Sequence, residues 1–200
     1  MRSKTIAYGF YEHFTELKSK KGIKNGYAEV KEGSDIVATG SYKNDKKIGR
    51  WRYFKKDTLQ QLYNYNTNTI EHQVNDEKLK YIIDSLKDGD KLIYPSKIGG
   101  SYYGFRFLGP LYTIPHQIRK TQGKFPIYFI FHLNQKGTVM NLKIKTINGR
   151  NQYMQEVNLS KLNDEQLSFT PAMVNGKAVY SFLVYEGDFV TSSIINASGF

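Results

Sequence analysis

The strongest constraint on this chain is a two-residue alternation from Ile36 to Tyr65, cut at short intervals by turn residues. Ile36, Ala38, Gly40 and Tyr42 alternate with Val37, Thr39, Ser41 and Lys43, which is the side-chain period of a strand. Asn44-Asp45-Lys46-Lys47 reads as a turn, and Gly49 tolerates positive φ. Trp51 and Tyr53 then alternate with Arg50, Arg52 and Phe54. Lys55-Lys56-Asp57 turns the chain again, and Leu59 to Tyr65 supplies a further strand. An earlier strand is expected over Gly26 to Val30, closed by Glu32-Gly33-Ser34-Asp35. One hairpin cannot bury a face alone, so Tyr42, Trp51 and Tyr53 are expected to stack as the core of a small meander.

The segment Gly40-Ser41-Tyr42-Lys43-Asn44-Asp45-Lys46-Lys47-Ile48-Gly49-Arg50-Trp51-Arg52-Tyr53-Phe54 resembles a MORN-type repeat, in the variant common in bacterial envelope proteins. The resemblance covers residues 24–70, with one clear unit. Its glycines are expected to make room for tight turns.

Residues 73–98 read as a connector with one helix. Asn75 is a candidate cap, and Leu79, Ile82, Ile83 and Leu86 keep an i, i+3, i+4, i+7 stripe that Asp88-Gly89-Asp90 stops. Further on, Pro115 suits the first position of a short helix that contains Ile118 and ends at Gly123. Phe125 to Leu133 alternates as a strand, with Ile127, Phe129, Phe131 and Leu133 on one face. After Asn134-Gln135-Lys136-Gly137, a strand from Val139 to Ile147 is expected to turn Met140, Leu142 and Ile144 inward. Asn151 to Gln166 reads as amphipathic but irregular, and a final strand is expected over Ala178 to Phe189.

The segment Phe169-Thr170-Pro171-Ala172-Met173-Val174-Asn175-Gly176-Lys177-Ala178-Val179 resembles the C-terminal domain of TonB-type proteins. Ile114-Pro115 and the turn before Val139 support the likeness, which covers residues 98–190. It implies an αββαβ domain with a three-stranded sheet that binds a protein partner. With no N-terminal anchor and no Pro-rich spacer in view, a complete energy transducer is not expected.

Composition narrows the classes further. Hydrophobic residues at 40% and aromatics at 14% suffice for packed cores. The longest apolar run, Ile127 to Phe131, is strand-sized and far short of a membrane-spanning helix. The absence of cysteine excludes disulfides, thiolate metal sites and cysteine nucleophiles. His13, His72, His116 and His132 show no ligand spacing, and no nucleophile elbow or phosphate-binding loop occurs. No enzyme, metal or cofactor is expected. The 29 basic residues against 18 acidic give +11, a preference for anionic partners.

These readings combine into an α+β protein. They place a MORN-like β-hairpin module at 1–72, a helical connector at 73–98 and a TonB C-terminal-like domain at 99–200. The expected function is non-catalytic binding of a protein partner in the bacterial cell envelope, such as an outer-membrane receptor or complex component. A partner strand would add to a free sheet edge. That edge is placed on the last strand, with Val179, Ser181, Leu183, Val184, Tyr185 and Phe189 as contact residues. The alternative is a basic module for nucleic acid or for an anionic lipid or cell-wall surface, using Lys46, Lys47, Arg50, Arg52, Lys55 and Lys56. Met1 to Lys4 is basic, but Thr5 to Glu12 is too short and too aromatic for a signal core. The location is periplasmic if an export signal has been removed, and cytoplasmic otherwise.

Overall fold

The computed structural model describes residues 2–7, 9–84, 86–119 and 121–191. The chain divides into two compact units, Met1–Asp76 with Ser96–Gly109, and Glu77–Pro95 with Pro110–Phe200. With 61% strand and 10% helix, the fold is mostly β. The expected α+β class with a three-stranded sheet is therefore corrected: the sheets are large, antiparallel and of seven and five strands.

The first unit is built on a meander in which each strand pairs with the next. Its strands are β1 (Arg2–Ala7), β2 (Phe10–Leu17), β3 (Lys20–Glu32), β4 (Asp35–Lys43), β5 (Lys46–Lys55), β6 (Thr58–Asn64) and β7 (Thr69–Gln73). Asn44 and Asp45 between β4 and β5 have φ of 51° and 65°; Lys56 and Asp57 between β5 and β6 have 45° and 61°. Two successive positive φ values give a two-residue turn whose twist matches the strands it joins.

One face of this sheet carries the core, including Phe10, Phe14, Val30, Ala38, Trp51, Tyr53 and Tyr63. Trp51 meets Tyr42 edge-on, with ring centroids 5.1 Å apart. Gly40 serves the indole and not a turn: a Cβ there would lie 2.2 Å from Trp51 Cδ2. Helix α1 (Gly100–Gly104) lies on the same face. Its Tyr103 ring sits 5.7 Å from Phe10 and 5.0 Å from Tyr53. Buried Gln61 fixes the approach to that helix, accepting from Gly99 N at 2.7 Å and donating to Lys97 O at 3.0 Å.

The second unit holds β8 (Leu79–Ile82), β9 (Leu92–Ile93), β10 (Gly123–Leu133), β11 (Val139–Asn148), β12 (Asn151–Glu156), β13 (Ala172–Val174), β14 (Lys177–Val179) and β15 (Ser181–Thr191). Its main sheet has the order β12-β11-β10-β15-β8, and a small sheet has the order β14-β13-β9. Two short helices, α2 (His116–Arg119) and α3 (Asp164–Leu167), complete the unit. Phe129, Phe131, Leu142, Ile144 and Leu183 are buried on one face of the main sheet.

Three local expectations are corrected here. The helix expected after Asn75 is strand β8, which pairs with Phe182–Tyr185. Leu79 is buried while Ile82 is 53% exposed, so the apparent helical stripe is not a buried face. Met140 was expected inward but is 51% exposed. The β10–β11 register steps from His132↔Asn141 to Leu133↔Val139, which leaves Met140 as a bulge. The stretch expected to be irregular from Asn151 begins as strand β12.

Candidate functional site

A sheet can take another chain only where a strand leaves main-chain groups unpaired. The last strand does not offer such an edge where it was expected. Leu183 pairs with Phe131 on one side and Tyr81 on the other; Val184 pairs with Ile130 and Lys80, and Tyr185 with Phe129 and Leu79. Over Phe182–Tyr185 the edge placed there is corrected, because β8 already occupies it; from Gly187 to Thr191, β15 pairs with β10 alone among the described residues. Ser181 is buried, and Val179 lies in the small sheet opposite Ala172. Phe189 pairs with Phe125, and its ring packs edge-on against Tyr112 at 5.3 Å.

The five-stranded sheet instead ends at β12 and β8. Val157 N donates to Leu142 O at 3.0 Å, which sets the alternation of inward and outward groups along β12. With Lys143 opposite Glu156 and Asn148 opposite Asn151, the groups of Asn151, Tyr153 and Gln155 face β11. Those of Gln152, Met154 and Glu156 face off the sheet, and among the described residues no further strand pairs with them.

The strand is held firmly from its covered side. Gln155 Nε2 donates to Leu111 O at 2.7 Å, and Gln155 Oε1 accepts from Thr113 N at 2.9 Å. Thr146, the partner of Tyr153, donates to Tyr112 Oη at 2.9 Å. On the open side Met154 is 57% exposed. Lys143 and Glu156 form an ion pair at 3.3 Å between exposed side chains, so it contributes little to stability.

Edge strands are ordinarily blunted by lysine, proline, bulges or short length. Such devices are present at both edges of the seven-stranded sheet and at β8. β1 carries Lys4 and a register shift between Thr5 and Ala7; β7 carries Glu71 and a shift opposite Leu62/Tyr63. β8 has four residues, and its Tyr81 ring stacks on Tyr94 at 4.6 Å. β12 has neither lysine nor proline, its one charged side chain, Glu156, stands at its end, and its register to β11 runs unbroken from Glu156 to Asn151.

The basic residues of the alternative reading are dispersed around β5. Lys47 Nζ lies 4.3 Å from the Trp51 ring centroid and within 5.7 Å of Tyr53, Tyr65 and Tyr103. Lys55 Nζ lies 5.7 Å from the Tyr102 ring on that core side. Arg50 is bound to Glu71, and Arg52 stands in a cross-strand row with Thr39 and Leu62. Arg50 and Arg52 alternate with buried Trp51 and Tyr53, so they face the other side. Lys46 opens β5 and Lys56 lies in the turn that follows its other end. Trp51 and Tyr53 are fully buried, so neither ring offers a base a stacking surface.

The Glu71 carboxyl is held below the usual range, first by Arg50 and then by Asn64. Among the described residues, no group of three or more His, Cys, Asp or Glu side chains gathers to hold a metal ion. Sequence reasoning passed over Gln152, Met154 and Glu156. The signal that could have found them is Asn148-Gly149: Gly149 has φ 58° and opens a two-residue turn. Set against protein-family models, curated proteins and solved structures, the chain finds no match in any of the three.

Proposed function

We propose that this chain is a non-catalytic binding module that takes an extended segment of a protein partner onto β12. The observation that carries the reading is the row of outward main-chain groups on Gln152, Met154 and Glu156, in a strand without lysine, proline or bulge. Main-chain hydrogen bonds would give affinity, and the exposed Met154 side chain would meet an apolar residue of the partner. The resemblance of residues 98–190 to a partner-binding domain of the cell envelope points the same way.

The test uses a property of the alternation. The Met154 N–H points away from β11, so Met154→Pro removes a donor to the partner while leaving the ladder to β11 intact. Immobilised full-length chain should retain a defined protein from envelope extract at moderate salt. Met154→Pro should lose it with an unchanged circular-dichroism spectrum, and Arg50→Ala with Arg52→Ala should keep it. Oligonucleotide binding that collapses with salt and disappears in the arginine variant would overturn the proposal.

A further inference from the structure

We infer that β12 is self-complementary and that two copies of this chain pair through it, antiparallel, about a twofold axis at Met154. The inference rests on the reading of β12 as a free edge and names one partner for it. The three residues with outward main-chain groups, Gln152, Met154 and Glu156, are spaced symmetrically about the middle one. A twofold axis there sets Met154 against its own copy and Gln152 against the second copy's Glu156. All three N–H and all three C=O groups of each strand then find partners, and open-face side chains meet open-face side chains. A parallel arrangement is not related by such an axis, and a shift by one residue would set the open face of one copy against the covered face of the other.

Charge favours the same register. In a chain of net charge +11, the one side chain of β12 that is charged at pH 7 is Glu156. In the twofold pair it faces a neutral amide, while Lys143 remains its ion partner within one copy. Like charges directly opposite one another would be destabilising, and none arise. The residue on the axis is exposed methionine, a side chain that adapts to its own copy.

A six-residue edge falls short of the roughly 1,200 Å² of a stable interface, so the dimer is weak and depends on concentration. The absence of cysteine makes the test direct, since each introduced thiol is the only one in its chain. Directly paired strand residues sit about 5.5 Å apart between Cα atoms. Met154→Cys should therefore cross-link to itself with a two-carbon bis-maleimide. Gln152→Cys alone should not, and a mixture of Gln152→Cys with Glu156→Cys should. In sedimentation equilibrium, the wild-type mass should rise with concentration while Met154→Pro and Met154→Lys stay monomeric.

Equal cross-linking of all three single-cysteine proteins, or a wild type that stays monomeric at high concentration, would overturn the self-pairing. If a monomeric wild type still loses an envelope protein through Met154→Pro, the self-pairing fails and strand addition stands. If Met154→Pro alters neither dimerisation nor capture, the free-edge reading fails with it.

Discussion

Gly40 and Trp51 show how one missing Cβ organises the first unit. The indole lies flat over Gly40, hydrogen-bonds Ser41 O at 3.1 Å and fills the centre of an aromatic layer. Gly40→Ala should be as damaging as Trp51→Ala, for which the loss of a buried aromatic costs roughly 3–5 kcal/mol. The double variant should lose far less than the sum, because without the indole the added methyl has space. Urea melts of the three variants check this, and additive losses would sink the account. A second residue-scale effect is titratable. The Tyr102 hydroxyl donates to Glu32, and that bond, with burial adding to it, raises the phenol above its ordinary value of 10.0. A raised value in the folded state means the contribution is complete below pH 10 and is lost as pH climbs through the folded value. The stability gap between wild type and Tyr102→Phe should therefore be constant from pH 7 to 9 and shrink above 10, as read by denaturation across that range.

Among the elements, the two-residue turns set the register of the meander. Asp57 follows Lys56 with both residues at positive φ, a conformation that costs an ordinary L-residue about 1 kcal/mol relative to glycine. The side chain of Asp57 makes no contact that offsets this among the described hydrogen bonds and ion pairs. Asp57→Gly should raise stability by roughly 0.5–1 kcal/mol, measured as a higher denaturation midpoint at unchanged slope. The same substitution at Asp45 should do less, because Asp45 Oδ1 accepts from Lys24 N at 2.8 Å and would be lost. A gain at Asp45 equal to that at Asp57 would show that the carboxylate bond contributes nothing.

At the scale of the whole molecule, the chain leaves the first unit after Asp76, contributes β8 and β9 to the second, and returns with Ser96–Gly109. Each unit is thus completed by a segment from the far side of the 86–91 loop. Exposed Lys87 and Asp88 offer a protease that loop. A single cut there should yield fragments that co-elute under native conditions and separate only in denaturant. Gln61 to Lys97 and Gly99 would hold one unit across the nick, and the β8–β15 ladder the other. Separation of the fragments without denaturant would show that these joins do not sustain the units.

The amino-acid sequence by itself determined the strands whose alternation is strong and local: those around Ile36 to Tyr65, Phe125 to Leu133 and Val139 to Ile147, with the aromatic cluster of Tyr42, Trp51 and Tyr53. A period of two and adjacent turn residues are properties of a few neighbours, so they are legible without the rest of the chain. Tertiary structure decided the remainder. Leu79 and Ile82 fit a helical stripe, yet pairing with Phe182–Tyr185, a hundred residues on, makes that segment a strand. That same pairing covers the last strand over Phe182–Tyr185 and makes β8 one end of the sheet, with β12 the other. Which strand stands at an edge is set by partners distant along the chain, and no local pattern records it. The candidate site on Gln152, Met154 and Glu156 is therefore a consequence of sheet order, while the residues that build the sheet are a consequence of the sequence.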